Sequence, residues 1–223
     1  MAIKPILFNT EMVQAILNSR KSCTRRIVKP KQLASMLPDK CKNGVPEEFL
    51  KEKKLMFKPY CDMTDVELIN TVYKAPYQPG DILYVRETWH KYNKRVGKGK
   101  SCHMEEFYGY KASIANSEDA NEPWKPSIHM PKEAARIWLK VTGVRMEQLQ
   151  EISAEGALAE GADKYIHING GLDENAILTS FIGIWNSTIK KSDLDCYGWN
   201  ANPYVFVIEF ERCEKPKEEK GNR

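Results

Sequence analysis

The strongest constraint on this chain is a pair of long β-runs in its second half, ARIWLKVTGVRMEQL (135–149) and PYVFVIEFER (203–212). Both are rich in β-branched and aromatic residues, and the first alternates well enough for a long strand. Strands of that kind bury their apolar faces only within a sheet. A third run, QPGDILYVRETW (78–89), starts with a Pro-Gly-Asp turn and alternates Ile82, Tyr84 and Arg86 with Leu83, Val85 and Glu87. With KPILF (4–8), TRRIVKP (24–30) and FYGYKASI (107–114), the sequence predicts about six strands.

Helical patterns interrupt these strands. Thr10 reads as the N-cap of EMVQAILN, with Met12, Val13, Ile16 and Leu17 at helical spacing. Ser153 reads as the cap of a short helix ending at Gly161, and LTSFIGIWNSTI (178–189) is a further helical pattern. The KYNKRVGKGKSCHMEE stretch (91–106) reads as a mobile basic loop. Residues 31–75 carry Pro38, Pro46 and Pro59 without a clean period, which predicts an insertion with short helices, one of them near TDVELINTVYK. No internal repeat is present. The expectation is one α+β domain over 1–213, with a charged tail at 214–223 that frays.

A composition of 42% hydrophobic, 10% aromatic and 29% charged residues is that of a folded globular chain. No apolar run reaches the roughly 18–20 residues of a membrane span, and the N-terminus has no signal-peptide core, so a cytoplasmic location is expected. Six cysteines without a CxxC pair predict reduced thiols. Cys102 and His103, with His90 upstream, do not make a metal site, and no cofactor is expected. No P-loop, GxGxxG, HExxH or Ser-His-Asp order is present.

The net charge of +4, from 34 basic and 30 acidic residues, is weak, so charge matters only where it clusters. It clusters in LNSRKSCTRR (17–26): Arg20, Lys21, Arg25, Arg26, Lys29 and Lys31 make half of residues 20–31 cationic. Ser22, Cys23 and Thr24 interleave small donors with the cations, a pattern suited to phosphate or a base edge. Trp138 and Trp185 lie in apolar periodic segments and read as core. Trp89, Trp124 and Trp199 lie beside turns, where a ring can line a cleft and stack on a base. A lysine desolvated near other cations can act as a base, which makes Lys21 with Thr24 the reactive pair. Glu87, Glu155 and Glu160 are the carboxylates that could complete it. His129, between prolines in SIHMP, is a further candidate.

The blocks ILNSRKSCTRRIVKP, YQPGDILYVRETW, WKPSIHMPKEAARIWLKVTGVRMEQLQEIS and WNANPYVFVIEFER, in this order, resemble the phage and prophage ASCH (activating signal cointegrator homology) proteins over most of the chain outside 31–75. The resemblance implies a PUA-like β-barrel with flanking helices. The family signature is Gly-x-Lys and, after four intervening residues, Arg; here Lys21 and Arg26 match and Ser19 stands in the glycine position. If that position has positive φ, serine costs about 1 kcal/mol there.

The resemblance implies recognition of RNA or a modified nucleoside, with DNA also possible, in a cleft lined by Lys21, Thr24, Arg26, Arg86, Trp89 and Trp124. Arg20, Arg25, Glu87 and His129 are the further binding candidates. Small bacterial members of the family are amidohydrolases acting on N4-acetylcytidine through a lysine, a threonine and a glutamate. Lys21 and Thr24 match the first two, and Glu160 is the glutamate chosen from the LQEISAEGALAEG segment. A third reading is a phage assembly or host-interaction protein.

Overall fold

The computed structural model describes residues 1–28, 75–113, 123–162 and 173–216, which form a mixed α+β fold. The expected insertion at 31–75, apart from residue 75, lies outside the described residues, as do its helix, Lys29, Lys31 and the tail beyond 216. Among the described residues there are strands β1 (Ile3–Leu7), β2 (Cys23–Ile27), β3 (Ile82–Arg86), β4 (Trp89–Val96), β5 (His103–Tyr110), β6 (Trp138–Gln148) and β7 (Tyr204–Cys213), with four α-helices between β1 and β2 and between β6 and β7. The helices are α1 (Thr10–Leu17), α2 (Ala154–Ala159), α3 (Glu174–Thr188) and α4 (Leu194–Tyr197). None among the described residues is long and apolar enough to cross a membrane.

The chain divides into two compact units, the first comprising 1–21, 80–141 and 210–223, the second 22–79 and 142–209. The hydrogen-bonded strand order is β1-β3-β6 in the first and β6-β7-β2 in the second, and β6 and β7 contribute residues to both. The two longest β-runs of the sequence are therefore the two strands that belong to both units.

In the first unit β3 is flanked on both sides, parallel to β1 (Ile3↔Ile82 to Leu7↔Arg86) and antiparallel to β6 (Ile82↔Lys140 to Tyr84↔Trp138). That position explains why Leu83 and Val85 are fully buried. Asp81, at the turn into β3, accepts from the Ala2 amide (2.9 Å) and Lys4 Nζ (2.7 Å), which pins β1 to its neighbour. Ile82, Trp89, Met130, Ala134, Ala135 and Trp138 form the core here.

Residues 91–106 are not the loop that the sequence suggested. β4 and β5 pair antiparallel from Trp89↔Tyr110 to Val96↔His103 as a separate two-stranded sheet. Beyond Tyr92 the ribbon is exposed on both faces, so it needs no apolar alternation and leaves none in the sequence. Its root is aromatic, with Tyr92 stacked on Phe107 at 5.8 Å.

In the second unit β2 pairs antiparallel with β7 (Cys23↔Glu209 to Ile27↔Val205). Leu149, Ile152, Ala157, Ala162, Ile177, Phe181, Trp185, Val205 and Val207 pack together. Trp185 Nε1 donates to Tyr197 O (2.8 Å), so this ring is core, as is Trp138 in the first unit. Ser153 caps α2 by accepting from the Gly156 amide (3.1 Å), as the sequence predicted.

The cap of α1 falls one residue earlier than expected: Asn9 Oδ1 accepts from the Met12 amide (2.9 Å), and Thr10 is the first helical residue. An asparagine before a threonine offers the better acceptor at that geometry. At the other end the Arg20 amide donates to Ala15 O (2.8 Å) and the Ser19 amide to Ile16 O (3.1 Å), the two bonds of a Schellman motif. Ser19 has φ 57°, the left-handed conformation that a side chain disfavours. Ser19→Gly is therefore expected to raise stability by about 0.5–1 kcal/mol, read as a higher urea midpoint with an unchanged m-value. A lower midpoint would remove the strain at this turn.

Candidate functional site

The Schellman turn sets the cationic cluster. Directly after Ser19, Arg20 is exposed while Lys21 is 4% exposed, its Nζ 5.6 Å from the Phe8 ring centroid. A lysine is rarely this buried, so its position is specified by the fold and not by solubility. Arg20 and Lys21 end the first unit's N-terminal segment, and Thr24, Arg25 and Arg26 open the second.

Strand periodicity then sorts β2: Cys23 and Arg25 share one face, Thr24 and Arg26 the other. Arg25, expected at a binding surface, is 4% exposed with an occupied guanidinium. Its Nε (2.9 Å) and Nη2 (2.6 Å) both donate to Glu147 Oε1, its Nη1 lies 3.4 Å from Glu160 Oε1, and it sits 5.9 Å from the Phe181 ring centroid. Its role is internal to the second unit. Thr24 is equally buried, and Arg26 is half-buried.

Glu160 caps the C-terminus of α2 and is buried, whereas Glu155 on the same helix is exposed. A carboxylate at the carbonyl end of a helix is unfavourable by itself, and Arg25 offsets it. Burial lowers the pKa of Arg26, opposed by the nearby charges of Tyr77 and Glu160. Burial holds the Tyr77 phenol above its usual value, opposed by Arg26. The second unit thus brings Arg25, Arg26, Glu160 and Tyr77 into one electrostatic group.

The first unit holds the rest of the expected residues. Glu87, 1% exposed, receives a two-pronged contact from Arg136, whose Nε and Nη2 each lie 2.9 Å from one of its carboxylate oxygens. Arg136 also donates to Ser113 Oγ (2.6 Å) and packs 4.1 Å from the Tyr110 ring centroid. Arg86 Nη1 donates to Ile128 O (3.2 Å), and its buried Nε has no hydrogen-bond partner among the described residues. Trp89 is buried beneath Lys125 and beside Tyr108, and Trp124 meets His90 edge-on at 4.5 Å. His129 is exposed. Trp199 packs on the Phe181 side of the second unit's core.

Sequence reasoning missed Glu147, Arg136 and Tyr77, and weighed His90 only as a metal ligand. His90 is 2% exposed, and both of its ring nitrogens lack a partner among the described residues. It lies over Gly109, where an added Cβ would overlap Nε2. A glycine opposite a ring on paired strands was the available signal for this contact. No group of three or more histidine, cysteine, aspartate or glutamate side chains able to hold a metal occurs among the described residues.

Comparison with protein-family models, with curated proteins and with solved structures finds no match.

The Tyr77 phenol gives a pH test of the second unit's group. Its raised folded pKa contributes stability that is complete below pH of about 10 and is lost as pH rises through the folded value. Between pH 8 and 11, the urea midpoint of the wild type is expected to fall more steeply than that of Tyr77→Phe. Parallel curves would show that Tyr77 titrates as it does in the unfolded chain.

Proposed function

We propose that this chain is a PUA-like domain of the ASCH type that binds RNA or a modified nucleoside through the segment 20–26. The observation that carries the reading is Ser19, left-handed at φ 57°, in the place where the ASCH signature has glycine. Lys21 and Arg26 follow at the signature's spacing. A positive-φ position is the physical reason for a glycine there, and the backbone of this chain has that conformation.

The burial of Lys21 and Thr24 bears on the ligand. Side chains that are 4% exposed cannot run along an open phosphate backbone, and each suits a single base or nucleoside better than an extended strand. Arg20 is exposed and Arg26 half-buried, so these two cations of the segment can meet a phosphate at the surface. Phosphate contacts release counterions, so binding weakens linearly on a log–log plot against salt. Titration of a fluorescent single-stranded RNA is expected to show that dependence, with affinity falling at least about tenfold in Lys21→Ala/Arg26→Ala. RNA affinity absent at low salt, or intact in the double variant, would overturn the reading.

A second reading is hydrolysis of an acylated exocyclic amine, as on N4-acetylcytidine, and the buried Glu160, whose charge acts on Arg26 of the Thr24 face, favours it. Thr24 Oγ would attack the amide carbonyl while Lys21 takes its proton. Glu160 would protonate the departing amine or orient the lysine, and water would then release the acyl group from the threonine. Purified protein incubated with N4-acetylcytidine is then expected to yield cytidine and acetate, with turnover lost in Lys21→Ala and Thr24→Ala. No product over hours leaves the domain a binding protein.

A further inference from the structure

The ribbon formed by β4 and β5 is outside the segment 20–26 and has no role in the reading above. Its eight residue pairs make an arm of about 25 Å. An isolated two-stranded ribbon is marginal in water unless something packs on it. Here only the root is covered: Trp89, His90 and Gly109 are buried, while residues 92–95 and 97–101 are exposed.

Residues 91–106 carry five cations against two carboxylates, and so hold three of the four net positive charges of the whole chain. One cation is neutralised, Lys91 by Glu106 at 2.6 Å, and Glu105 lies 4.0 Å from His103. Lys94, Arg95, Lys98 and Lys100 have no carboxylate partner among the described residues; Arg95 Nε donates to Cys102 Sγ at 2.8 Å. The strand period puts Lys94 on the face of Tyr92 and Arg95 on the face of Lys91, and Lys98 and Lys100 sit in the connecting turn. Gly97, at φ 89°, keeps that turn tight, because a Cβ there would overlap Ser101 O.

The arm therefore carries cations without a carboxylate partner on both faces and at its tip, Arg95 on one face and Lys94 on the other. A flat anionic surface would engage one face, whereas a groove between two rows of phosphates engages both. From 93 to 106 there is no phenylalanine, tyrosine or tryptophan, so the distal arm lacks the stacking platform that single strands require. The major groove of B-form DNA, about 12 Å wide, admits a two-stranded ribbon, while that of an A-form duplex is too deep and narrow.

We propose that the β4–β5 arm binds double-stranded DNA, lying in the major groove with Lys94, Arg95, Lys98 and Lys100 on the flanking phosphates. This contact does not rest on the reading of segment 20–26.

The test is fluorescence anisotropy of the full chain with a labelled DNA duplex of about 20 base pairs, two helical turns. Parallel titrations use the RNA duplex of the same sequence, the single DNA strand, and phosphatidylserine vesicles. The DNA duplex is expected to bind tightest. Lys94→Gln/Arg95→Gln/Lys98→Gln/Lys100→Gln is expected to lose at least about tenfold in affinity and to reduce the log–log salt slope by about 3 to 4. Lys98→Gln/Lys100→Gln alone, confined to the turn, is expected to lose about half of that slope change, and circular dichroism checks that both variants fold. Unchanged DNA affinity in the fourfold variant would overturn the proposal, as would equal or tighter binding of the RNA duplex, the single strand or the vesicles. The RNA titration of Lys21→Ala/Arg26→Ala is read separately. Loss there without loss in the arm variant sinks the arm alone, and the converse pattern sinks only the segment 20–26.

Discussion

The second unit is organised around one buried cation. The Arg25 guanidinium lies between Glu147 of β6 and Glu160 at the end of α2, and so ties strand β2 across the intervening β7 to β6 and to the helix that follows β6. An arginine suits this place because its fork serves two carboxylates from fixed directions, which a lysine ammonium on a flexible stem does not. Losing one partner from such a buried pair costs about 3–5 kcal/mol, mostly because the other charge is left uncompensated. The second oxygen of Glu147 accepts from Arg145 Nε at 3.1 Å, and Arg145 Nη1 also bonds Glu209 of β7. Gly143 fits the same network: a Cβ there would come within 2.7 Å of Glu209 Oε2, so the mid-strand glycine leaves room for a carboxylate.

The first unit solves a similar problem with Glu87 and Arg136. Here the carboxylate is the buried member and the arginine is partly exposed, with side-chain exposures of 1% and 27%. Tyr110, with its hydroxyl donating to Ala134 O (2.7 Å), stacks against that guanidinium, and its phenol is held above its usual pKa chiefly by burial. Two of the charged residues that the sequence marked for ligand, Arg25 and Glu87, are thus engaged within their own units.

The long strands and the main helices were legible because their apolar periods are strong, and the short α2 because its caps are. The arm was not, since a ribbon solvated on both faces has no period to detect and its lysines and glycines read as loop. The ion pairs were not legible either. Arg25 and Glu147 are 122 residues apart and Glu87 and Arg136 are 49 apart, so each pairing depends on a topology that local pattern does not encode. The cluster at 20–26 was legible as a cluster but not in its sorting, because consecutive cations look alike in sequence and only the turn at Ser19 and the strand period separate buried from exposed.

That sorting divides the protein's cations into two physical kinds. Lys21 and Arg25 are each desolvated and held in place by the fold, so they have little conformational entropy left to lose. Lys94, Lys98 and Lys100 are exposed and have no carboxylate partner among the described residues, and cations of this kind act on a polyanion by releasing its counterions. Salt hardly changes the electrostatics of the first kind, because buried charges are weakly screened. The second kind is screened by salt within about a Debye length.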